Sequence, residues 1–120
     1  MRLQVALATL AALVSLAAAD RLRVDIEEDL NNNYKYSNGR WDSAYGTYPV
    51  DPRDGCQDPP SVPGLNNLCL DWNAQHQRGH FYFDNQGKRC IKFTGFSWRD
   101  PCPAKKACYT WYLDEVQCTW

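Results

Sequence analysis

Gln75–Phe93 reads QHQRGHFYFDNQGKRCIKF. Two runs rich in β-forming residues, Arg78–Phe83 and Arg89–Phe93, flank the polar stretch Asp84–Lys88, which contains Gly87. Such runs on either side of a glycine-bearing polar turn spell a β-hairpin. The stretch also holds both histidines, His76 and His80, together with Arg78, Lys88, Arg89 and Lys92. On a helix His76 and His80 would share a face and could ligate one metal ion. Gly79 between them and the strand-like run that begins there place them in extended chain instead. Residues four apart then sit ~13 Å from each other, too far for one metal. The reading is a hairpin with charged residues, no metal and no cofactor.

Outward from the hairpin, Ala107–Trp120 reads ACYTWYLDEVQCTW and predicts a second hairpin turning at Asp114-Glu115. Tyr109, Trp111 and Leu113 fall on one face of its first strand, Thr110 and Tyr112 on the other. Upstream, Tyr34–Gly55 spaces Tyr34, Tyr36, Trp41, Tyr45 and Tyr48 among Gly, Asn, Ser and Asp, the pattern of short strands joined by turns. Asp25–Asn33, DIEEDLNNN, allows one short helix followed by a polar loop. Cys56–Cys69, CQDPPSVPGLNNLC, is a proline-rich surface loop. A domain boundary there would leave two pieces too small to bury cores. The fold class is a small β-rich, disulfide-stabilised domain built on an antiparallel sheet, with at most one short helix and α+β as the alternative.

The chain begins MRLQVALATLAALVSLAAA: one cation, an apolar run, then A-x-A ending at Ala19. This is the pattern of a secretory signal peptide cleaved after Ala19, and the apolar run is too short for a membrane span. The domain division is 1–19 signal peptide and 20–120 a single secreted domain, extracellular and monomeric. All six cysteines, Cys56, Cys69, Cys90, Cys102, Cys108 and Cys118, fall in the second part. An even number in a small secreted chain implies three disulfides, each adding ~2–4 kcal/mol. Cys102–Cys108 is a feasible short bridge around PAKKA. Cys108–Cys118 is disfavoured, because the expected hairpin holds the two apart.

Catalytic patterns are lacking. No G-x-S-x-G elbow occurs, and Asp71, Asp84, Asp114 and Glu115 read as turn and surface residues. Charge is uneven: Arg78, Lys88, Arg89, Lys92, Arg99, Lys105 and Lys106 face only Asp84 and Asp100 between residues 78 and 106. Phe81, Tyr82, Phe83, Phe93, Phe96 and Trp98 interleave with them. Such a surface suits a polyanion, whereas simple alternation would bury the rings and leave the cations solvated. Arg78, Lys88, Arg89, Lys92, Lys105 and Lys106 are the expected partner-binding residues, toward a host or microbial molecule.

Arg78 followed by FYFDNQGKRCIKFTGFS resembles the C-terminal core of the small secreted guanine-specific fungal ribonucleases, with Phe93-Thr94-Gly95-Phe96-Ser97 matching their H-T-G-A-S-like segment. Tyr48-Pro49-Val50 with Asp54-Gly55 is similar to their Y-P-H…E-G segment. Phe93 and Val50 stand where that family has histidines, and the glutamate position has only Asp54 or Asp51 nearby. Tyr48 and Arg78 alone match, over about a quarter of residues 20–120. The resemblance therefore implies a ribonuclease-like scaffold without the acid–base pair. As a whole the chain resembles the small cysteine-rich secreted proteins of filamentous fungi. That class includes effectors acting in virulence and antimicrobial or killer-type toxins. The expectation is a secreted, non-enzymatic, effector-type binding protein, with a toxin and an inactive ribonuclease-like protein as alternatives.

Overall fold

The computed structural model describes residues 19–120 except Ala74; the expected signal peptide, save Ala19, lies outside the described residues. The chain forms β1 (Arg21–Asp29), β2 (Tyr34–Ser43), β3 (Gly46–Val50), β4 (Gly55–Gln57), β5 (Leu65–Asp71), β6 (Arg78–Phe83), β7 (Arg89–Trp98) and β8 (Lys106–Val116). All pairings are antiparallel, in one sheet of order β3-β2-β1-β8-β7-β6-β5-β4. The β6–β7 hairpin is the one read from the sequence.

Two expectations are corrected. No helix occurs among the described residues, so the short helix at DIEEDLNNN and the α+β alternative fall away. Leu22, Val24 and Ile26 are buried at alternate positions, and this period of two carries β1 through Asp29. The Asp29 carboxylate then accepts from the Asn31 and Asn33 amides (2.9 and 3.0 Å) and turns the chain into β2. Ala107–Trp120 is likewise not a hairpin: β8 runs straight through Asp114-Glu115. Each carboxylate has a guanidinium partner on its own face of the sheet. Arg21 makes two bonds to Asp114 on one side (2.6 and 3.0 Å), and Arg89 makes two to Glu115 on the other (2.8 and 2.7 Å). Partners on both faces hold these two residues in extended strand.

A single sheet has no second layer to cover its apolar face, so this one curls into a half-barrel and packs on itself. Trp41 of β2 and Phe81 of β6, separated in the sheet by β1, β8 and β7, meet ring to edge at 4.7 Å. Both are fully buried, with Leu22, Val24, Ile26, Leu68, Ile91 and Leu113 around them. Tyr36 of β2 stacks on Trp72, just beyond β5, at 4.8 Å. Register shifts in β1/β2, β5/β6 and β7/β8 sharpen the twist, with Asn38 and Asn67 at φ of 47° and 48° beside the first two. Gly79 permits the tight curvature near β5: a Cβ there would lie 2.7 Å from the Cys69 carbonyl oxygen. The expected loop over Cys56–Cys69 is also shortened: Cys56 and Gln57 belong to β4 and Leu65–Cys69 to β5, and the connection between them buries Pro59 and Val62.

The three disulfides are Cys56–Cys69, Cys90–Cys118 and Cys102–Cys108. The short bridge anticipated around PAKKA is made, and Cys108 does not pair with Cys118.

Two outcomes test this account. Phe81→Ala should cost ~3–5 kcal/mol in urea unfolding, because it empties the contact that closes the curl. Asp114→Asn should cost at most ~1 kcal/mol at pH 7, since the pair with Arg21 is part-exposed. The Arg21 hydrogen bond, opposed by burial and helped by Thr94, holds the Asp114 pKa below its usual 3.8. That stability is complete above the unfolded value and is lost as pH falls through the lower folded value. Urea midpoints of the variant and the parent should therefore converge below pH 3.8.

Candidate functional site

The convex face of the half-barrel is polar and arranged in rows. One row crosses seven strands as aligned Cα partners: Asp71, Arg78, Lys92, Asp114, Arg21, Asp42 and Thr47. Along most of this face the cations are neutralised. Arg21 pairs with Asp114, Arg23 with Asp42, Arg40 with Asp25 and Lys106 with Glu27, all within 3.0 Å. Toward β6 the pattern stops. Among the described residues Arg78 and Lys92 pair with no Asp or Glu side chain; Arg78 lines one recess, and Lys92 is its aligned neighbour on β7.

The recess, about 200 Å³, is lined by Cys56, Cys69, Asp71, Arg78, His80 and Trp120. Cys56, Cys69 and His80, aligned across β4, β5 and β6, line it, and Cys90 is the next partner on β7, so His80 sits between two disulfide-bonded strand positions. Cys90–Cys118 tethers the C-terminal tail back across the strands, which brings Trp120 to the rim. There the Arg78 guanidinium lies over the Trp120 ring, 4.6 Å from its centroid, and Lys88 Nζ donates to the Trp120 main-chain oxygen, which occupies it. Lys92 is the neighbour of Arg78 on β7 and is exposed. Asp71 is turned to His76, with Oδ2 2.6 Å from Nδ1, and not to Arg78. Burial, and then the Lys88 charge, push the His80 pKa below its usual 6.5, so its imidazole is neutral at pH 7.

The six expected binding residues thus divide. Arg78, Lys88 and Lys92 come together. Arg89 does not join them: it points to the concave face, lies over the Phe81 and Phe83 rings (5.0 and 5.3 Å), and is held by Glu115. Lys105 and Lys106 lie at the far end of the sheet on the Cys102–Cys108 loop, where Lys106 is paired with Glu27 at 2.9 Å and Lys105 is exposed. Of the residues matched in the ribonuclease resemblance, Tyr48 packs against the core from β3, whereas Arg78 is on the convex face of β6. The structure does not bring them together. No group of three or more His, Cys, Asp or Glu side chains with metal-site geometry occurs among the described residues.

Two features escaped the sequence reading. Trp120, a C-terminal residue with no pattern around it, becomes a wall of the recess only through the 90–118 bridge. The concave face also carries aromatics beyond the core: Phe96 and Trp98, 51% and 69% exposed, pack edge-on with Tyr109. Burial, and then its hydrogen bond to Glu28 (2.9 Å), push the Tyr109 hydroxyl above its ordinary range. The alternation of rings and cations signalled this division between faces, but not which rings lie beyond the core.

No protein-family model, curated protein or solved structure matches the chain.

Proposed function

We propose that the protein is an extracellular, effector-type binding protein that acts without catalysis and holds an anionic polymer of a host or competitor at the Trp120 recess. The observation that carries the reading is a pair of neighbouring cations, Arg78 and Lys92, with no Asp or Glu partner on a face where most other cations are paired, beside Lys88 and the Trp120 ring. A cation already facing a carboxylate gains little from a second anion. Arg78 and Lys92 have that interaction still to make, and the guanidinium on the indole is pre-oriented for it. Neutral His80 supplies a ring nitrogen within the same recess. Three disulfides fit an extracellular location. The effector-type assignment rests on the resemblance of the whole chain to small cysteine-rich fungal secreted proteins.

The test is binding of a labelled sulfated polysaccharide and of a labelled single-stranded RNA, followed by the fluorescence anisotropy of the polymer across a salt series. At least one polymer should bind at low salt and weaken steeply as salt rises. Arg78→Glu with Lys92→Glu should lower affinity by roughly tenfold or more at low salt. Retained binding in that double variant, or no binding of either polymer, overturns the site. RNA recovered intact after incubation supports action without catalysis, and shortened RNA overturns it.

Acidification adds a second readout. An anion in the recess favours the imidazolium form, and the folded pKa of His80 lies below 6.5. Affinity should therefore rise as pH falls below 6.5, toward and through that lowered value. His80→Asn should flatten this rise while leaving the pH 7 affinity near the parent value.

A further inference from the structure

The inner face of β1 begins at Asp20, which is 5% exposed, whereas Ala19 before it is exposed. The Asp20 carboxylate accepts from Trp41 Nε1 at 2.9 Å and lies 3.6 Å from Arg89 Nη2. Its backbone exchanges two bonds with Glu115: Asp20 N donates to Glu115 Oε1 at 3.0 Å, and Glu115 N donates to Asp20 O at 3.1 Å. Arg89 is the sole cation of this cluster and serves both carboxylates. The cluster is therefore one positive charge short. Burial raises the Asp20 pKa despite the Trp41 bond and the Arg89 charge, and the Glu115 charge adds to the rise. Beside it opens a recess of about 180 Å³ between Ser43, Tyr45, Phe83 and Gln86, which gives polar hydrogens at this position room to reorient.

We propose that the Ala19–Asp20 peptide bond is a processing site, and that the α-ammonium group freed at Asp20 locks onto Glu115 as the missing cation of this cluster. The inference rests on reading residues 1–19 as a removable leader. Two independent features meet at one bond: the A-x-A pattern ends at Ala19, and the buried ion cluster begins at the next nitrogen. An endopeptidase adds water across the bond. Ala19 departs with the new carboxylate, and the Asp20 nitrogen takes up a proton. A nitrogen offering one N–H to Glu115 then offers three and a full charge. The groups facing it are its own carboxylate, Trp41 from β2, Arg89 from β7 and Glu115 from β8.

An α-amine ordinarily titrates at ~7.7–8.0. Two carboxylates outnumber one guanidinium here and favour its charged form against the burial that opposes it, which raises its folded pKa in the proposed state. The stability it contributes is complete below the ordinary value and is lost as pH climbs through the raised one. The experiment secretes the full chain with its own leader, alongside a second chain with one glycine inserted between Ala19 and Asp20. The insertion carries the ammonium about 3.5 Å along the chain, away from Glu115. Intact mass should show the first protein starting at Asp20. Its urea midpoint should exceed that of the glycine-extended form at pH 7, and the gap should close at alkaline pH. Acylation of its α-amine at pH 7 should be several-fold slower than that of the glycine-extended form. Glu115→Gln should abolish that protection; should this variant fail to fold, the insertion comparison decides. A chain that stays unprocessed or starts elsewhere, or equal midpoints at every pH with equal acylation rates, overturns the proposal.

Discussion

The contact between Trp41 and Phe81 is the constraint from which the rest follows. These rings belong to strands with three others between them, and they touch only because the sheet rolls up. With no helix and no second sheet among the described residues, one face must bury itself or stay wet. Rolling demands extra twist, and the chain provides it locally, through three register shifts and a glycine where β5 and β6 crowd. The disulfides lie outside this inner core and act on what it leaves loose. Cys56–Cys69 clips the short edge strand β4 to β5, Cys102–Cys108 closes the loop before β8, and Cys90–Cys118 ties down the tail.

Rolling separates the residues into two environments, and the candidate site follows from that separation. Even-numbered residues of β1 and odd-numbered residues of β6 and β8 turn to the concave side. The convex side receives their neighbours and becomes rows of charge that cross the strands. Opposite charges in adjacent strands stabilise such rows modestly, by ~0.2–1 kcal/mol each. Where β8, β1 and β2 meet, acidic and basic residues alternate across the sheet and satisfy one another. At β6 and β7 two cations, Arg78 and Lys92, are direct neighbours, and the acid beside Arg78 is engaged by His76. Like charges side by side are unfavourable in an isolated sheet. Their placement here means that the convex face is uncompensated locally, at the place where a tail disulfide delivers an indole.

The hairpin and the polarity of its faces were legible because they are local properties. RGHFYF-DNQGK-RCIKF carries its own turn chemistry and alternation. The bridge around PAKKA was legible for the same reason, being six residues long. DIEEDLNNN misled because Ile26 was read apart from Leu22 and Val24, whose alternation marks the strand. Asp114-Glu115 misled because two adjacent carboxylates resemble a turn until their partners are known. Those partners, Arg21 and Arg89, are 93 and 26 residues away in sequence. The same distance in sequence concealed the role of Trp120. Arg89 shows the converse limit. It belongs to a run of cations, yet strand parity, counted from Ile91, sends it inward with the rings while Lys88 and Lys92 stay outside.

The two ends of the concave face are chemically unlike, and this bears on how each is used. Asp20, Arg89 and Glu115 stop one end with charges that bond mainly to each other and to Trp41. At the other end the aromatic stack continues past the core through Tyr109 to Phe96 and Trp98, beyond the reach of β6, whose pairing with β7 ends at Lys92. A charged stopper that spends its hydrogen bonds internally has few bonds left for a ligand. The basic recess on the outer face is the opposite case, with cations held in place but not neutralised. Internal pairing therefore separates cations that sequence alone runs together: Arg89 is held by Glu115 within the fold, whereas Arg78 and Lys92 have no Asp or Glu partner among the described residues.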